Sequence, residues 1–310
     1  MGAIMEELYL HRKDTLFFYS PFNFIREISP AVQQEAIILP ELKKKLDQAV
    51  EIHVKGSAHL FFVELLPWDT AYFNIPTYKL NHVLYKHHDV AVLTEATNRF
   101  LQTITAAGAY LFIEIPSEDI VLIQALGNAG FKLVETRLTY YRGSLHDFNE
   151  PRYPVREATP ADSTNLMRVA REMRNDYDRF HADPIFSTEK ADEFLATYIE
   201  QSLKGFADVV LTSNEDTLPS DCFLTARYFK NEWEKLGIPV SKMVLSAVSS
   251  STNKGWYKKL ITEMTYHLRD TGASYIFMNT QSTNRAVFYT WEQLGYRLGC
   301  TTHLLSKTLS

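Results

Sequence analysis

Two stretches of this 310-residue chain repeat one another, and no other feature of the sequence constrains its fold as strongly. Residues 105–138 align without a gap on residues 270–303, an offset of 165. Tyr110 falls on Tyr275, Phe112 on Phe277, Ser117 on Ser282, Gly130 on Gly295, Phe131 on Tyr296, Lys132 on Arg297 and Leu133 on Leu298. Each copy reads as a strand, a helix closed by glycine, and a second strand, so the chain is expected to carry one β-α-β unit twice. Two unrelated units that share only a glycine helix end would give a similar string. The copies part at polar positions, where Asp119 stands opposite Asn284 and Leu126 opposite Trp291. If the first copy is a duplicate, it has lost those positions and serves as scaffold.

The chain around the repeat is globular in character. It is 45% apolar and 13% aromatic, enough to build a core and too much for a disordered chain. A net charge of −5 argues against nucleic acid or an anionic membrane as the main partner. The longest uncharged runs, 100–113 and 271–284, are too short to span a bilayer. Glu6 and Glu7 stand where a signal peptide would be cationic and then apolar. Two cysteines make no disulfide scaffold and no zinc site, and His87-His88 lacks metal-ligand spacing, so no metal is expected. These features lead to the expectation of a cytoplasmic protein, a monomer or homodimer, acting on a small molecule.

The one linker-like stretch is 146–154 (HDFNEPRYP), which sets expected domains at 1–150 and 151–310. After it, Thr159-Pro160-Ala161-Asp162 reads as a capped helix start continuing through Leu166, Val169 and Met173. Strands are expected at 208–212, 223–229, 240–248, 275–278 and 298–305. Trp256, Leu260, Met264 and Leu268 form one helical stripe, and 284–294 forms another helix. The fold class is α/β or α+β, with antiparallel hairpins first and a β-α-β-α-β run last.

Two segments carry chemistry. An apolar strand empties into Ser249-Ser250-Ser251-Thr252-Asn253-Lys254-Gly255, and a helix begins at once. Free N–H groups, hydroxyls and a lysine at a helix start suit a pyrophosphate, although a polar cap without a ligand reads the same way. Neither G-x-x-x-x-G-K-[ST] nor G-x-G-x-x-G occurs in the chain, and the S-x-x-K at 251–254 lacks its companion motifs. The second segment, 279–286 (NTQSTNRA), follows a strand and precedes a helix. Asn284 is either a helix cap or a ligand contact, and Trp291, seven residues on, shares its helix face.

Strand, hydroxyl-rich loop ending Lys254-Gly255, helix, strand, then Asn284-x-Ala286 and Leu294-Gly295-Tyr296-Arg297-Leu298 together resemble the GCN5-related N-acetyltransferase (GNAT) superfamily. Within it, three further elements resemble the TDP-fucosamine N-acetyltransferase branch: 67–73 (PWDTAYF), 179–182 (RFHA) with 191–198, and 280–284 (TQSTN). The resemblance spans roughly residues 60–310. It implies a GNAT-like mixed sheet flanked by helices, with an N-terminal degenerate GNAT-like half and a C-terminal acyl-CoA-binding domain. It further implies acetyl-CoA as co-substrate and an amine acceptor, an amino-sugar nucleotide in this branch.

Carried over by position, Val248 and Ser249 would bind the pantetheine, and Asn253, Lys254, Gly255, Trp256 and Tyr257 the pyrophosphate. Asn284 would lie near the thioester. The chain departs from the family's [RQ]-x-x-G-x-[GA] by Thr252 and Tyr257. It also departs by Trp291, which stands where a tyrosine acid is common and cannot serve as one. His181 is the candidate general base, or else a structural histidine. Arg179, Asp183 and Arg227 are candidate contacts to a nucleotide-sugar acceptor. A catalytically degenerate CoA-binding protein of the same fold is the alternative.

Overall fold

The computed structural model describes residues 1–309, and the chain forms two compact units, Met1–Arg137 with Cys300–Ser310 and Leu138–Gly299. The division therefore falls at 137/138 instead of 150/151, and the last strand belongs to the first unit. The residues 146–154 that suggested a linker are instead tied into the second unit. There, the Glu150 N–H donates to the Tyr266 hydroxyl (2.7 Å), and the Tyr153 N–H to Glu263 (2.6 Å). No helix of the described residues is long and apolar enough to cross a membrane.

In the first unit, α1 (Gly2–Leu16), α2 (Pro30–Gln33) and α3 (Leu39–Lys44) precede a hairpin of β1 (Ala49–Val54) and β2 (Ser57–Leu65). Its two-residue turn, Lys55-Gly56, has positive φ at both positions, the geometry that follows a strand pair's right-handed twist. Then come α4 (Pro67–Phe73), β3 (Thr77–Leu84), α5 (Val90–Leu101), β4 (Tyr110–Pro116), α6 (Ile120–Asn128) and β5 (Lys132–Arg142). The strand order is β1-β2-β3-β4, with the chain's last strand, β11 (Arg297–Thr308), antiparallel beside β4. One sheet face buries Leu80, Val83, Leu111 and Ile113 against Leu93, Ala96 and Phe100 of α5 and Leu122 and Leu126 of α6. The other buries Leu60, Phe62 and Leu84 against Met5, Leu8 and Leu16 of α1 and Leu42 of α3.

The second unit opens with β6 (Val155–Glu157). Thr159 and Asp162 then form a capping box that leads into α7 (Ser163–Glu172), as the sequence pattern suggests. It continues through α8 (Arg179–Ala182), α9 (Thr188–Gln201), β7 (Val209–Ser213), β8 (Cys222–Arg227), α10 (Lys230–Leu236), β9 (Val240–Val248), α11 (Trp256–Asp270), β10 (Tyr275–Gln281) and α12 (Arg285–Gln293). The expected strand 223–229 stops at Arg227 because Phe229 turns to φ 53° and starts α10, a helix too short to show a period. The strand order is β10-β9-β8-β7-β6. Trp256, Leu260 and Met264 of α11 and Trp291 of α12 pack on one sheet face, and α7 and α9 on the other through Leu166, Val169 and Ile199.

Each unit has one parallel strand pair, and the repeat places the two pairs in equivalent positions. β3 meets β4 only at Thr77–Lys79 with Tyr110–Phe112, and β9 meets β10 only at Val240–Lys242 with Tyr275–Phe277. Tyr110/Tyr275 and Phe112/Phe277, matched in the sequence repeat, hold corresponding registers. Both inner strands also carry a β-bulge toward their outer neighbour, between Phe62/Val63 and between Leu224/Ala226. The fold is thus a mixed sheet flanked by helices with a duplicated plan.

Candidate functional site

Beyond Lys242 and Phe277, the strands β9 and β10 part. Met243–Val248 and Met278–Gln281 run on without pairing to each other, so backbone N–H and C=O groups along the inner edges of this wedge lack a strand partner. Immediately after β9, the chain makes the loop 249–255 and starts α11.

The loop is held from below by Asp221, a residue that the sequence reading did not single out. Its carbonyl accepts the Ser249 N–H (2.9 Å), and its carboxylate accepts Thr252 Oγ1 (2.9 Å), Asn165 Nδ2 (2.5 Å) and Arg168 Nη2 (3.0 Å). Burial alone would raise its pKa, but the bonds from Asn165, Thr252 and Arg168 outweigh that and lower it. Thr252, a departure from the family pattern, is exposed but anchors the loop through its hydroxyl. Asn253 and Trp256 are buried: the Asn253 amide reaches Ser213 (3.3 Å), and Trp256 sits in the core with the Lys259 ammonium 4.4 Å above its ring. Asn253 Oδ1 and Trp256 Nε1 are buried and have no hydrogen-bond partner.

Gly255 caps α11 at φ 88°, a left-handed conformation that strains other residues, and no side chain caps the helix. Of the N–H groups that a helix start leaves without an intrahelical partner, Trp256's donates to the Asn253 carbonyl (3.0 Å). Those of Gly255, Tyr257 and Lys258 remain for an anion, with exposed Lys254 beside them. The Tyr257 ring does not lie across them. Its hydroxyl accepts the Trp291 indole N–H at 2.7 Å, inside the core, where burial raises the phenol's pKa. Trp291 is 3% exposed, so its polar atom is spent within the protein. Asn284 caps α12 by position without a side-chain cap bond and is half-buried.

Of the other candidates, Arg179, His181 and Asp183 lie on α8 and its end, and Arg227 ends β8. His181 is held at both ring nitrogens, Nδ1 by Asp178 (2.7 Å) and Nε2 by Asp192 (3.1 Å). Burial pulls its pKa down, but the two carboxylates outweigh this and raise it. The two carboxylates favour the protonated imidazole and tie α8 to α9 through it. Arg179 stacks on the Phe180 ring (4.2 Å) in the same short helix, and Arg227, exposed, lies over Phe206 (5.5 Å). Asp183, just past α8, accepts the Ile185 N–H (3.3 Å).

The equivalent positions in the first unit are filled from within. The Asp89 carboxylate caps α5, accepting the Ala91 and Val92 N–H groups at 2.9 and 3.1 Å, so an acid of the chain already occupies the anion position. Asp119, opposite Asn284 in the repeat, is 2% exposed and accepts bonds from Arg12 of α1, Tyr19 (2.7 Å) and Tyr85 (3.1 Å). The polar positions of this copy have become an internal ion-pair cluster.

Solved structures share this fold. One is the GCN5-related N-acetyltransferase from Sphaerobacter thermophilus, at TM-score 0.54 and 10% identity over 83% of this chain and 79% of that one. Another is an acetyltransferase from the GNAT family from Colwellia psychrerythraea, at 0.50 and 14% over 89% and 97%. The chain has the fold of the GCN5-related N-acetyltransferases. A GCN5-related glucosamine N-acetyltransferase region of a fungal multi-domain GH3 β-N-acetylglucosaminidase also shares it, at TM-score 0.56 and 11% identity. That match covers 96% of this chain and 37% of that one. No protein-family model and no curated protein matches the sequence. In the GNAT fold's terms, the wedge between β9 and β10 and the open start of α11 occupy one end of the second unit's sheet.

Proposed function

We propose that this protein is an acetyl-CoA-dependent N-acetyltransferase whose acceptor is a primary amine, most specifically an amino-sugar nucleotide. The observation that carries the proposal is the wedge between β9 and β10 opening at an uncapped helix start. The unpaired strand edges offer the alternating donors and acceptors that an amide-bearing pantetheine arm needs. The N–H groups of Gly255, Tyr257 and Lys258, with the Lys254 ammonium, suit a pyrophosphate. Acetyl-CoA supplies an activated acyl group whose thiolate, with a thiol pKa of about 8.5, leaves without a strong acid. The absence of a tyrosine at the Trp291 position is therefore compatible with turnover. The amino-sugar acceptor rests on the motifs shared with the TDP-fucosamine branch and on a fold neighbour that is a glucosamine N-acetyltransferase.

A second reading, a CoA-binding protein without chemistry, is favoured by the closed Trp291–Tyr257 bond and the fully engaged His181. Calorimetry with acetyl-CoA, followed by thiol release with a panel of amines, separates the readings. Binding with thiol release supports the enzyme, binding without release from any amine supports the second reading, and no binding at millimolar acetyl-CoA rejects both.

A further inference from the structure

We infer that the acceptor amine carries a phosphate group, held by Arg227 together with Lys242; this rests on the acetyl-transfer reading above and deepens it. The two residues stand at one level of the second unit's sheet. Arg227 of β8 is the cross-strand partner of Lys242 of β9, and Lys242 is that of Phe277 of β10. Residues directly opposite one another share a face, so the three form one row. Their chain neighbours Ala226, Met243, Ile276 and Met278 belong to the core under α11 and α12, which puts the row on the other face. There Arg227 is exposed and lies against the Phe206 ring (5.5 Å), while half-buried Lys242 lies against Phe277 (5.4 Å).

The first unit holds the same row with a different charge pattern. It reads Glu64–Lys79–Phe112, again at the last level where the two parallel strands pair. There an acid stands opposite the lysine, and Glu64 also meets the Lys45 ammonium at 3.1 Å. In the second unit an arginine takes the place of that acid. Like charges directly opposite one another repel, so this row carries a cost that the first copy avoids. Asp208, whose N–H meets the Ala226 carbonyl, turns its carboxylate to the Tyr228 N–H (2.8 Å), and Arg227 forms no ion pair among the described residues. The row also marks the closed end of the wedge, because β9 and β10 part just beyond Lys242 and Phe277. A pantetheine arm laid in from the start of α11 points its thioester toward this end. The α11 side is filled at this level by Met243 and Met278, so an acceptor arrives over the row. A phosphate, with its several acceptor oxygens and negative charge, meets both cations and removes their repulsion. An uncharged substituent leaves that repulsion in place.

The test compares glucosamine, glucosamine 1-phosphate and glucosamine 6-phosphate on the whole protein, by kcat/KM and, without acetyl-CoA, by calorimetric affinity. The wild type should favour a phosphorylated sugar by about tenfold or more in both readouts. Arg227→Glu recreates the acid–lysine pair of the first unit, so it should melt no lower than the wild type and keep its acetyl-CoA affinity. It should nevertheless lose the preference for phosphate, and Lys242→Gln should weaken that preference as well. Equal kcat/KM for the three sugars in the wild type, or a preference that survives Arg227→Glu, overturns this inference and leaves acetyl transfer standing. If no amine is acetylated, the acetyl-transfer reading fails and the calorimetry decides alone. Phosphate-dependent binding that Arg227→Glu abolishes keeps the site, whereas binding that the variant retains, or none at all, removes it.

Discussion

Trp291 donates its indole N–H to the hydroxyl of Tyr257 across 2.7 Å, joining the helix that follows β10 to the first turn of the helix that follows β9. Both residues depart from the GNAT sequence pattern, and the structure shows that they depart together. One aromatic ring fills the acid position, and the other gives it a buried acceptor. Trp291→Phe should remove one of two side-chain partners of the Tyr257 oxygen, leaving Ser246, and cost about 0.5–1.5 kcal/mol. Trp291→Ala, a large core deletion, should cost about 3–5 kcal/mol. Thermal denaturation with activity assays decides the role. A well-folded Trp291→Phe protein whose turnover falls a hundredfold would show that the indole serves the reaction as well as the core.

The conformation of the loop 249–255 depends on one glycine and one buried aspartate. Gly255→Glu adds a strained φ and a negative charge at the anion position, and acetyl-CoA affinity should fall more than tenfold. Asp221→Ala releases Thr252 and the loop end and should weaken binding about tenfold while leaving β8 in place. Titration calorimetry on both variants measures this, and unchanged affinity in Gly255→Glu would place the cofactor elsewhere.

The first unit should bind no second cofactor. Asp89 already occupies the start of α5, and Asp119 is locked to Arg12, so calorimetry should give one acetyl-CoA per chain. Removing one partner of the buried pair leaves a charge without compensation. Asp119→Ala should cost about 3–5 kcal/mol, read from urea unfolding.

A pair of histidines makes the first unit acid-sensitive. His59 Nδ1 bonds the Ile52 carbonyl (3.2 Å), so that nitrogen carries the hydrogen and Nε2 is an acceptor. His87 Nε2–H donates to it at 2.7 Å, while His87 Nδ1 accepts the Asp89 N–H (3.2 Å). Both rings are neutral in this chain of bonds, and burial lowers both pKa values. The unfolded chain therefore binds more protons as pH falls below about 6.5, the ordinary histidine value. Stability should be full above that pH and decline below it toward the folded-state pKa values. His87→Asn should flatten unfolding free energy measured between about pH 5 and pH 7, and an unchanged slope would refute the account.

His181 should behave in the opposite sense. Its folded pKa is raised, so its contribution to stability is present below the unfolded value and lost as pH rises through the folded one. His181→Gln should lower stability at pH 6 more than at pH 8, without moving the pH profile of acetyl transfer. A moved profile would restore His181 as a base.

What could be read from the residues follows from range. The stripe Trp256–Leu260–Met264–Leu268, the hydroxyl-rich loop and the glycine after α12 are local signals, and the structure has those elements where the spacing puts them. Asp221 escaped notice because nothing near it in sequence shows that Thr252 and Ser249 would fold back onto it. The position of His181 was visible, but its second partner, Asp192, comes from α9, one helix further along.

The return of β11 to the first unit has a consequence for how the protein is made. β4 cannot gain its antiparallel neighbour until residues 302–308 exist, so the first unit waits, unfinished, until the second unit's residues have been made. Contacts of such long sequence separation fold slowly. Meanwhile the exposed edge of β4 is open to any other extended segment, including the same segment of a second nascent molecule.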